Sequence, residues 1–423
     1  MQQSSLIGHV IEVYSEFANN SIVPADIVMR RFFVNRKYLG AGDRRNISSA
    51  YYGTIKNFLR LEAIAKDGFQ SDEHRAELVV AAYFIRFEHV TADAMQSLLR
   101  TLPIERAYDY PLSVFMTMAD ENRETNRLQS LGKIERLSVL YSAPIWFVEE
   151  LIQAHSENIE SVLQSLNEEA PTVLRCNTLL QSRDELRAEL TAQGIVTALS
   201  TISDSALILE KRINVAEVAA FKRGEFEIQD EASQLVAPTA DIHSKKIKVL
   251  DACAGAGGKT LHLAALMNNQ GEIFATDVDG RKLEELRKRV VRSKAQNVRI
   301  IPPEKYEENI GAKLGWFDLI LLDVPCSGTG TIRRNPSIKW NLTQESLNEL
   351  IEKQRAILEK NIAYLKAGGT LVYATCSILP SEGEDQLQWF IDAHPEFTVE
   401  ATRRTSTESD RCDGFFAARL RKH

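Results

Sequence analysis

The chain has 423 residues, more than one ordinary domain carries, so two or three domains with ample core material are expected. A hydrophobic share of 44% and a charged share of 26% exclude a disordered chain, and a net charge of −7 excludes a wholly basic nucleic-acid coat while leaving local patches free to act. Five cysteines, an odd number without paired spacing, exclude a disulfide framework and suit reduced thiols in a cytosolic protein.

The first residues have no basic flank followed by a long apolar core, and no apolar run is long enough to span a bilayer. A cytoplasmic protein without membrane association is expected. Residues 5–165 read as helices. Leu6, Val10, Val13, Tyr14 and Phe17 keep a three-to-four spacing, and similar patterns return over 55–61 and 78–87, so residues 1–140 are taken as a helical domain. Within it RRFFVNRKYLGAGDRR sets Arg30, Arg31, Arg36, Lys37, Arg44 and Arg45 among Phe32, Phe33 and Tyr38. Basic side chains interleaved with aromatics suit an RNA backbone and exposed bases, although a solvated helix face over an aromatic core has the same composition. Within a linking α/β segment over 141–235, Pro171 opens TVLRCNTL, whose alternation puts Thr172, Leu174, Cys176 and Thr178 on one side of a strand. Cys176 reads as small core filler.

From residue 236 strands alternate with helices, which predicts a parallel doubly wound sheet over 236–423. Residues 246–251 form its first strand and run into DACAGAGGKT, where Gly255, Gly257 and Gly258 permit a tight turn and close approach to a ligand before a helix over 260–267. The second strand, 272–276, precedes Asp277, about twenty residues on, where an acid can hold two ribose hydroxyls. The spacing before Gly258-Lys259-Thr260 is wrong for a Walker sequence. Next comes a helix with Arg281, Lys282, Arg287, Lys288, Arg289, Arg292 and Lys294, a basic surface suited to phosphates. A buried strand over 317–322 stops at Asp323, Pro325 and Cys326, because proline cannot donate to a ladder. An amphipathic helix over 344–365 leads through Gly368-Gly369 to a strand over 370–374, which ends in Thr375, Cys376 and Ser377. CDGFFAARLRKH closes the chain as a last strand.

Two cysteines at the carboxyl ends of successive parallel strands face one crevice, where open α/β sheets bind ligands. Alkylation at C5 of cytosine needs a temporary nucleophile at C6, since C5 has no acidic proton, and a thiolate suits that role. An acid such as Asp323 can bond the ring at N3 and stabilise developing charge. The residues themselves leave open which cysteine attacks. A zinc nucleobase deaminase is excluded because Thr329 stands where the second cysteine of P-C-x-x-C belongs.

DACAGAGGKT, LLDVPCSGTGTIRRNPSIKW, LVYATCSILPSEGE, LRCNTL, EIQDEAS and DGFFAA together resemble, over residues 140–420, the Nol/Nop/Sun family of RNA cytosine-5 methyltransferases. The likeness extends to its bacterial 16S ribosomal RNA enzymes of the Fmu/Sun type, whose helical N-terminal domain is similar to NusB. The resemblance implies a Rossmann-like class I methyltransferase domain and RNA as partner; a monomeric chain without a metal is expected. It implies Cys376 as covalent nucleophile and Cys326 as the group that assists breakdown of the adduct. It sets S-adenosylmethionine against Cys253, Ala254, Gly255, Ala256, Gly257, Gly258 and Lys259, with Asp277 on the ribose and Asp323 near the reacting centre. Two departures stand out: Ala256 replaces the usual proline of the turn, and the acid expected for the adenine amine has given way to Pro302-Pro303, with Glu304 as substitute. A transfer-RNA substrate and a non-catalytic RNA-binding assembly factor are the alternatives; intact Cys326, Cys376 and Asp323 argue against the latter.

Overall fold

The computed structural model describes residues 1–20, 23–69, 75–103 and 108–423. The chain forms two compact units, one of Met1–Glu168 with Ile332–Gln344, the other of Glu169–Thr331 with Glu345–His423. No helix among the described residues is long and apolar enough to cross a membrane.

The first unit is helical, with eleven α-helices among the described residues between Gln3–Ala18 and Ile159–Ser165. Val10, Val13, Tyr14 and Phe17 are buried as their spacing requires, and Ile7 and Ile11 complete that face. Helix Ala76–Arg86 packs against Gln3–Ala18, Phe58–Gly68 and Leu112–Ala119, and its residues 76–85 are all buried, which is why it is apolar nearly all round. The insert Ile332–Gln344 joins this unit through Lys339 and Trp340. Lys339 Nζ donates to the carbonyl oxygens of Lys56 at 3.0 Å and Tyr141 at 3.1 Å, and to Asn167 Oδ1 at 2.8 Å. Lys56 and Tyr141 end the helices Ala41–Lys56 and Lys133–Tyr141, whose last carbonyls lack intrahelical donors, so the ammonium caps both. Burial, followed by the nearby charge of Lys56, pushes the Lys339 pKa down to about 7. Trp340 sets its ring edge-on to Phe58, centroids 4.9 Å apart, and its indole N–H donates to Ile55 O at 3.2 Å.

The second unit holds two sheets. The smaller is antiparallel and contains β1 (Val173–Cys176), β2 (Thr197–Leu199), β3 (Ala206–Leu209) and β4 (Phe226–Ile228), in the order β2-β3-β1-β4. All four residues of β1 are buried, so the expected alternation of Thr172 to Thr178 is not what shapes it. Cys176 is core filler, packed with Leu174, Leu186, Leu207 and Phe226.

The larger sheet comprises β5 (Lys248–Asp251), β6 (Glu272–Thr276), β7 (Val298–Ile301), β8 (Phe317–Asp323), β9 (Leu365–Thr375), β10 (Phe397–Thr405) and β11 (Phe415–Lys422). Its order is β10-β11-β9-β8-β5-β6-β7; β5 to β9 are mutually parallel and β11 runs antiparallel to both neighbours. Leu250, Ile320, Leu322, Leu371 and Tyr373 join one buried cluster while Val249, Leu319, Leu321, Val372 and Ala374 join another, as residues alternate between the sheet's two covered faces. The chain winds outward from β5 through β6 to β7 and returns to the other side at β8. That reversal puts the ligand crevice at the carboxyl ends of β5 and β8.

Local pattern misjudged two elements here. The amphipathic helix is Gln344–Ile362 and stops short of Leu365, because Leu365 pairs with Phe317 and opens β9. The C-terminal strand is half of a hairpin, whose first strand β10 the sequence reading did not anticipate.

Candidate active site

β8 makes its last ladder bond when Val324 N–H donates to Ala374 O at 3.1 Å; Pro325 has no N–H to offer, and the chain leaves the sheet at Cys326. β9 ends next to it at Thr375, followed by Cys376. The two sulfurs are 3.2 Å apart, a hydrogen bond. Their loops are stitched together where Gly330 N–H donates to Cys376 O at 3.0 Å and Gly414 N–H to Gly330 O at 2.9 Å. A Cβ on Gly330 would stand 1.8 Å from Gly414 O, so only glycine permits this approach.

Behind the sulfurs lies a buried polar cluster that sequence reading missed. Glu382, fully buried in the turn Pro380–Glu382, accepts the Ser327 N–H on Oε1 at 2.8 Å and the Ser327 hydroxyl on Oε2. Gln354 Nε2 donates to the same Oε1 at 2.9 Å and to Pro325 O at 3.2 Å. The Glu382 carbonyl accepts from Tyr373 at 3.0 Å and Thr375 at 3.3 Å, both on β9. The hydrogen bond to Cys376, then burial, then the charges of Cys376 and Glu382 raise the Cys326 pKa well above that of an ordinary thiol; a backbone bond from Gly328 opposes them. Either sulfur of the pair can be the donor in their shared hydrogen bond.

The glycine turn joins β5 to helix Gly258–Leu266. Gly255 and Gly257 have φ of 55° and 87°, and a Cβ on Gly257 would stand 2.1 Å from Leu286 Cδ1, so the turn depends on glycine there. Asp277 clasps the turn: Oδ2 accepts the Gly255 N–H at 2.8 Å and Oδ1 the Asp279 N–H at 2.8 Å. Lys259 reaches from the helix to Asp323 at the end of β8, Nζ to Oδ2 2.6 Å, which ties the turn to the Pro-Cys loop. Asp251 accepts the Thr260 hydroxyl at 2.7 Å on Oδ2, while Oδ1 is buried without a hydrogen bond. Burial raises its pKa to about 7; the Thr260 bond opposes this. Cys253 lies in the turn with its thiol pKa raised by burial and then by the charges of Asp251, Asp323 and Asp277. Ala254 N–H donates to Thr276 O at 2.9 Å, and Ala256 offers its carbonyl to Arg289.

This cradle fits S-adenosylmethionine. A Cβ on Gly255 would meet nothing within 4 Å, leaving one face of the turn open. Carboxylates of Asp277 and Asp323 border it, acceptors suited to ribose hydroxyls and to a cationic ligand. Glu304 is exposed in the turn after β7, apart from these contacts.

The basic helix Gly280–Ser293 divides in two. Arg281 and Lys288 are 93% and 76% exposed, whereas Arg289 and Arg292 turn inward onto Glu227 of β4, at 3.0 Å and 2.6 Å. Arg289 Nη1 also donates to Ala256 O at 2.8 Å, and Arg175 of β1 donates to Gly258 O and to Gln229 Oε1 at 2.8 Å. Arg289 thus braces the glycine turn through Ala256, and both arginines are held inward by Glu227, which corrects their expected place on a phosphate-facing surface. The motifs LRCNTL and EIQDEAS carried the signal, since they contain Arg175, Glu227 and Gln229. In the helical unit Arg31, Lys37 and Arg45 are exposed, but Phe32 and Phe33 pack in the core, and Tyr38, 72% exposed, alone of those three aromatics stands at the surface.

The family described as 16S rRNA methyltransferase RsmB/F matches residues 239–421, and its ferredoxin-like domain matches 143–216. Ribosomal RNA small subunit methyltransferase B of Shewanella oneidensis is 32% identical over 405 residues, covering 92% of this chain and 93% of that protein. The probable enzyme of the same name from Synechocystis is 28% identical and covers 91% of this chain and 92% of its own length. Among solved structures, PH0851 superposes with a TM-score of 0.79 at 28% identity over 100% of this chain and 99% of that one. A methyltransferase homolog protein from Pyrococcus horikoshii gives 0.61 at 27% identity, covering 69% of this chain and 100% of its own. With a relative 32% identical matched nearly end to end, the chain belongs to the RsmB/F branch of the Nol/Nop/Sun family of S-adenosylmethionine-dependent methyltransferases.

Proposed function

We propose that this protein methylates C5 of a cytosine in 16S ribosomal RNA through a covalent bond between Cys376 and C6. The observation that carries the reading is the 3.2 Å contact between two sulfurs at the ends of adjacent parallel strands, beside the cofactor turn. One sulfur of such a pair can attack while the other manages the proton. The family resemblance favours Cys376 as the attacking thiolate, with Cys326 as its hydrogen-bonded partner. As Cys376 adds to C6, negative charge develops toward N3 of the ring, and Asp323 stabilises it by handing N3 a proton drawn from the Lys259 ammonium beside its Oδ2. S-adenosylmethionine, when bound at Cys253 to Lys259 and Asp277, supplies an electrophilic methyl carbon for C5. Cys326 then passes its S–H proton to the departing Cys376 sulfur and takes the C5 proton in exchange, so the C5–H and C6–S bonds break, the C5=C6 double bond re-forms and both thiols end protonated. Exposed Arg31, Lys37, Arg281 and Lys288 suit the RNA backbone, and the target base has to be unstacked to reach either sulfur.

The test is a denaturing gel with cytosine-containing 16S RNA. Cys376→Ala is expected to give neither methylated RNA nor a covalent band. Cys326→Ala is expected to transfer the methyl group and then stay attached to RNA. A trapped band with Cys376→Ala instead reverses the roles, and no change with either variant ends the covalent reading. Bisulfite mapping of total RNA from cells with and without the protein identifies the base and separates ribosomal from transfer RNA.

A further inference from the structure

Glu382 has no part in the chemistry just described, yet its carboxylate is fully buried a few residues beyond Cys376. Burying a carboxylate is costly unless its oxygens find donors, and a neutral or apolar side chain fills such a space at lower cost. The donors it has found are specific. Ser327, the residue after Cys326, gives both its N–H and its hydroxyl. Gln354 gives one amide hydrogen to Glu382 and another to Pro325 O, on the other side of Cys326. Through its own carbonyl Glu382 also holds Tyr373 and Thr375, which lead into Cys376. A second layer of hydroxyls repeats the link: Thr329 Oγ1 lies 3.0 Å from Ser377 Oγ and accepts the Ile378 N–H at 3.2 Å. One side chain thus holds the backbone on both sides of one cysteine, and its main chain holds the strand that carries the other.

We propose that Glu382 is a positioning residue, whose carboxylate fixes the Pro325–Ser327 turn so that the Cys326 thiol stays in hydrogen-bond reach of the Cys376 sulfur while the adduct collapses. The proposal rests on the covalent reading above. A carboxylate fits because it is acceptor-only and meets three donors with two oxygens. Glutamine in its place turns one acceptor into a donor facing the Ser327 donors. The turn loosens and the sulfur pair separates, while the cofactor turn and Cys376 keep their own supports.

Full-length Glu382→Gln, Ser327→Ala and Glu382→Asp are compared with the wild type in single-turnover methyl transfer and in release of RNA from the denatured covalent band. Release is expected to slow by about tenfold in Glu382→Gln, the equivalent of one well-placed hydrogen bond, with a smaller fall in first-turnover methyl transfer and a visible band that the wild type lacks. Ser327→Ala, which leaves the carboxylate and its Gln354 donor in place, is expected to show the same imbalance more weakly, and Glu382→Asp to recover part of the release. In the Cys326→Ala background, Glu382→Gln is expected to add nothing further. Equal losses in transfer and release, or wild-type release in both Glu382→Gln and Ser327→Ala, overturn the proposal. Ser327→Ala decides the matter alone if Glu382→Gln does not fold. If Cys326→Ala itself traps no RNA, the covalent reading has failed; if it traps RNA and the Glu382 and Ser327 variants do not, only the positioning role has failed.

Discussion

Two carboxylates, Glu227 and Glu382, are almost wholly buried in the catalytic unit, at 3% and 0% exposure, and they are satisfied in opposite ways. Glu227 faces the guanidinium groups of Arg289 and Arg292. Glu382 takes its hydrogen bonds from Ser327 and Gln354, which are uncharged. The first arrangement is a rivet: opposite charges compensate one another and pin helix Gly280–Ser293 to β4 beside the glycine turn. The second leaves a negative charge beside a thiol, where it disfavours ionisation of Cys326. A buried ion pair mainly serves assembly, whereas a buried charge held by neutral donors projects its field onto its neighbours.

The comparison breaks most readily at the rivet. Glu227→Gln leaves Arg289 and Arg292 without their counter-charge in a mostly buried site, and loss of one partner of such a group costs about 3–5 kcal/mol. Urea unfolding followed by tryptophan fluorescence is expected to show a loss of that size, and cofactor affinity is expected to fall with it, because Arg289 also holds Ala256. Glu382→Gln is expected to cost less, about 1–3 kcal/mol, since it strands neutral donors and not a cation. A larger stability loss at Glu382 than at Glu227 would reverse the distinction.

A third buried carboxyl sharpens the contrast through pH. Asp251 has one hydroxyl donor, from Thr260, and a pKa raised from 3.8 to about 7 by burial, with Asp323 adding to the rise and Lys259 opposing it. The folded state then keeps a proton that the unfolded chain loses between those values. Stability is present at the acid end of this window and declines as pH rises through it, by at most about 1.4 kcal/mol per pH unit for one proton, then levels off above about 7. Asp251→Asn is expected to flatten that slope. Urea midpoints at pH 5 and pH 7.5 whose difference matches the wild type would show that Asp251 is ionised in the folded state across this range.

Much of the catalytic sheet was legible because its signals are local. The order of strand, glycine turn, helix and acid from Lys248 to Asp277 follows from apolar runs and from glycines at positive φ. Strand ends at Asp323 and Thr375 could be read because Pro325 removes a ladder donor and the apolar run before each stops there. The end of helix Gln344–Ile362 was misread for the opposite reason: Leu365 fits the apolar stripe of the helix, and only pairing with Phe317 pulls it into β9. Among the basic residues of Gly280–Ser293, type alone does not separate Lys288 in solvent from Arg289 on Glu227.

By itself, the sequence determined the succession of elements, the glycine turn and the placing of a cysteine after each of two parallel strands, because backbone propensity and apolar period act within a few residues. Tertiary structure alone decided which charges are paired and which groups surround each sulfur. Glu227 meets Arg292 across 65 residues of chain, Ser327 meets Glu382 across 55, and Cys326 meets Cys376 across 50. The partner that makes a buried charge tolerable, or shifts the proton of a thiol, is brought by the sheet order and the loops that leave it, and no local pattern records those distances.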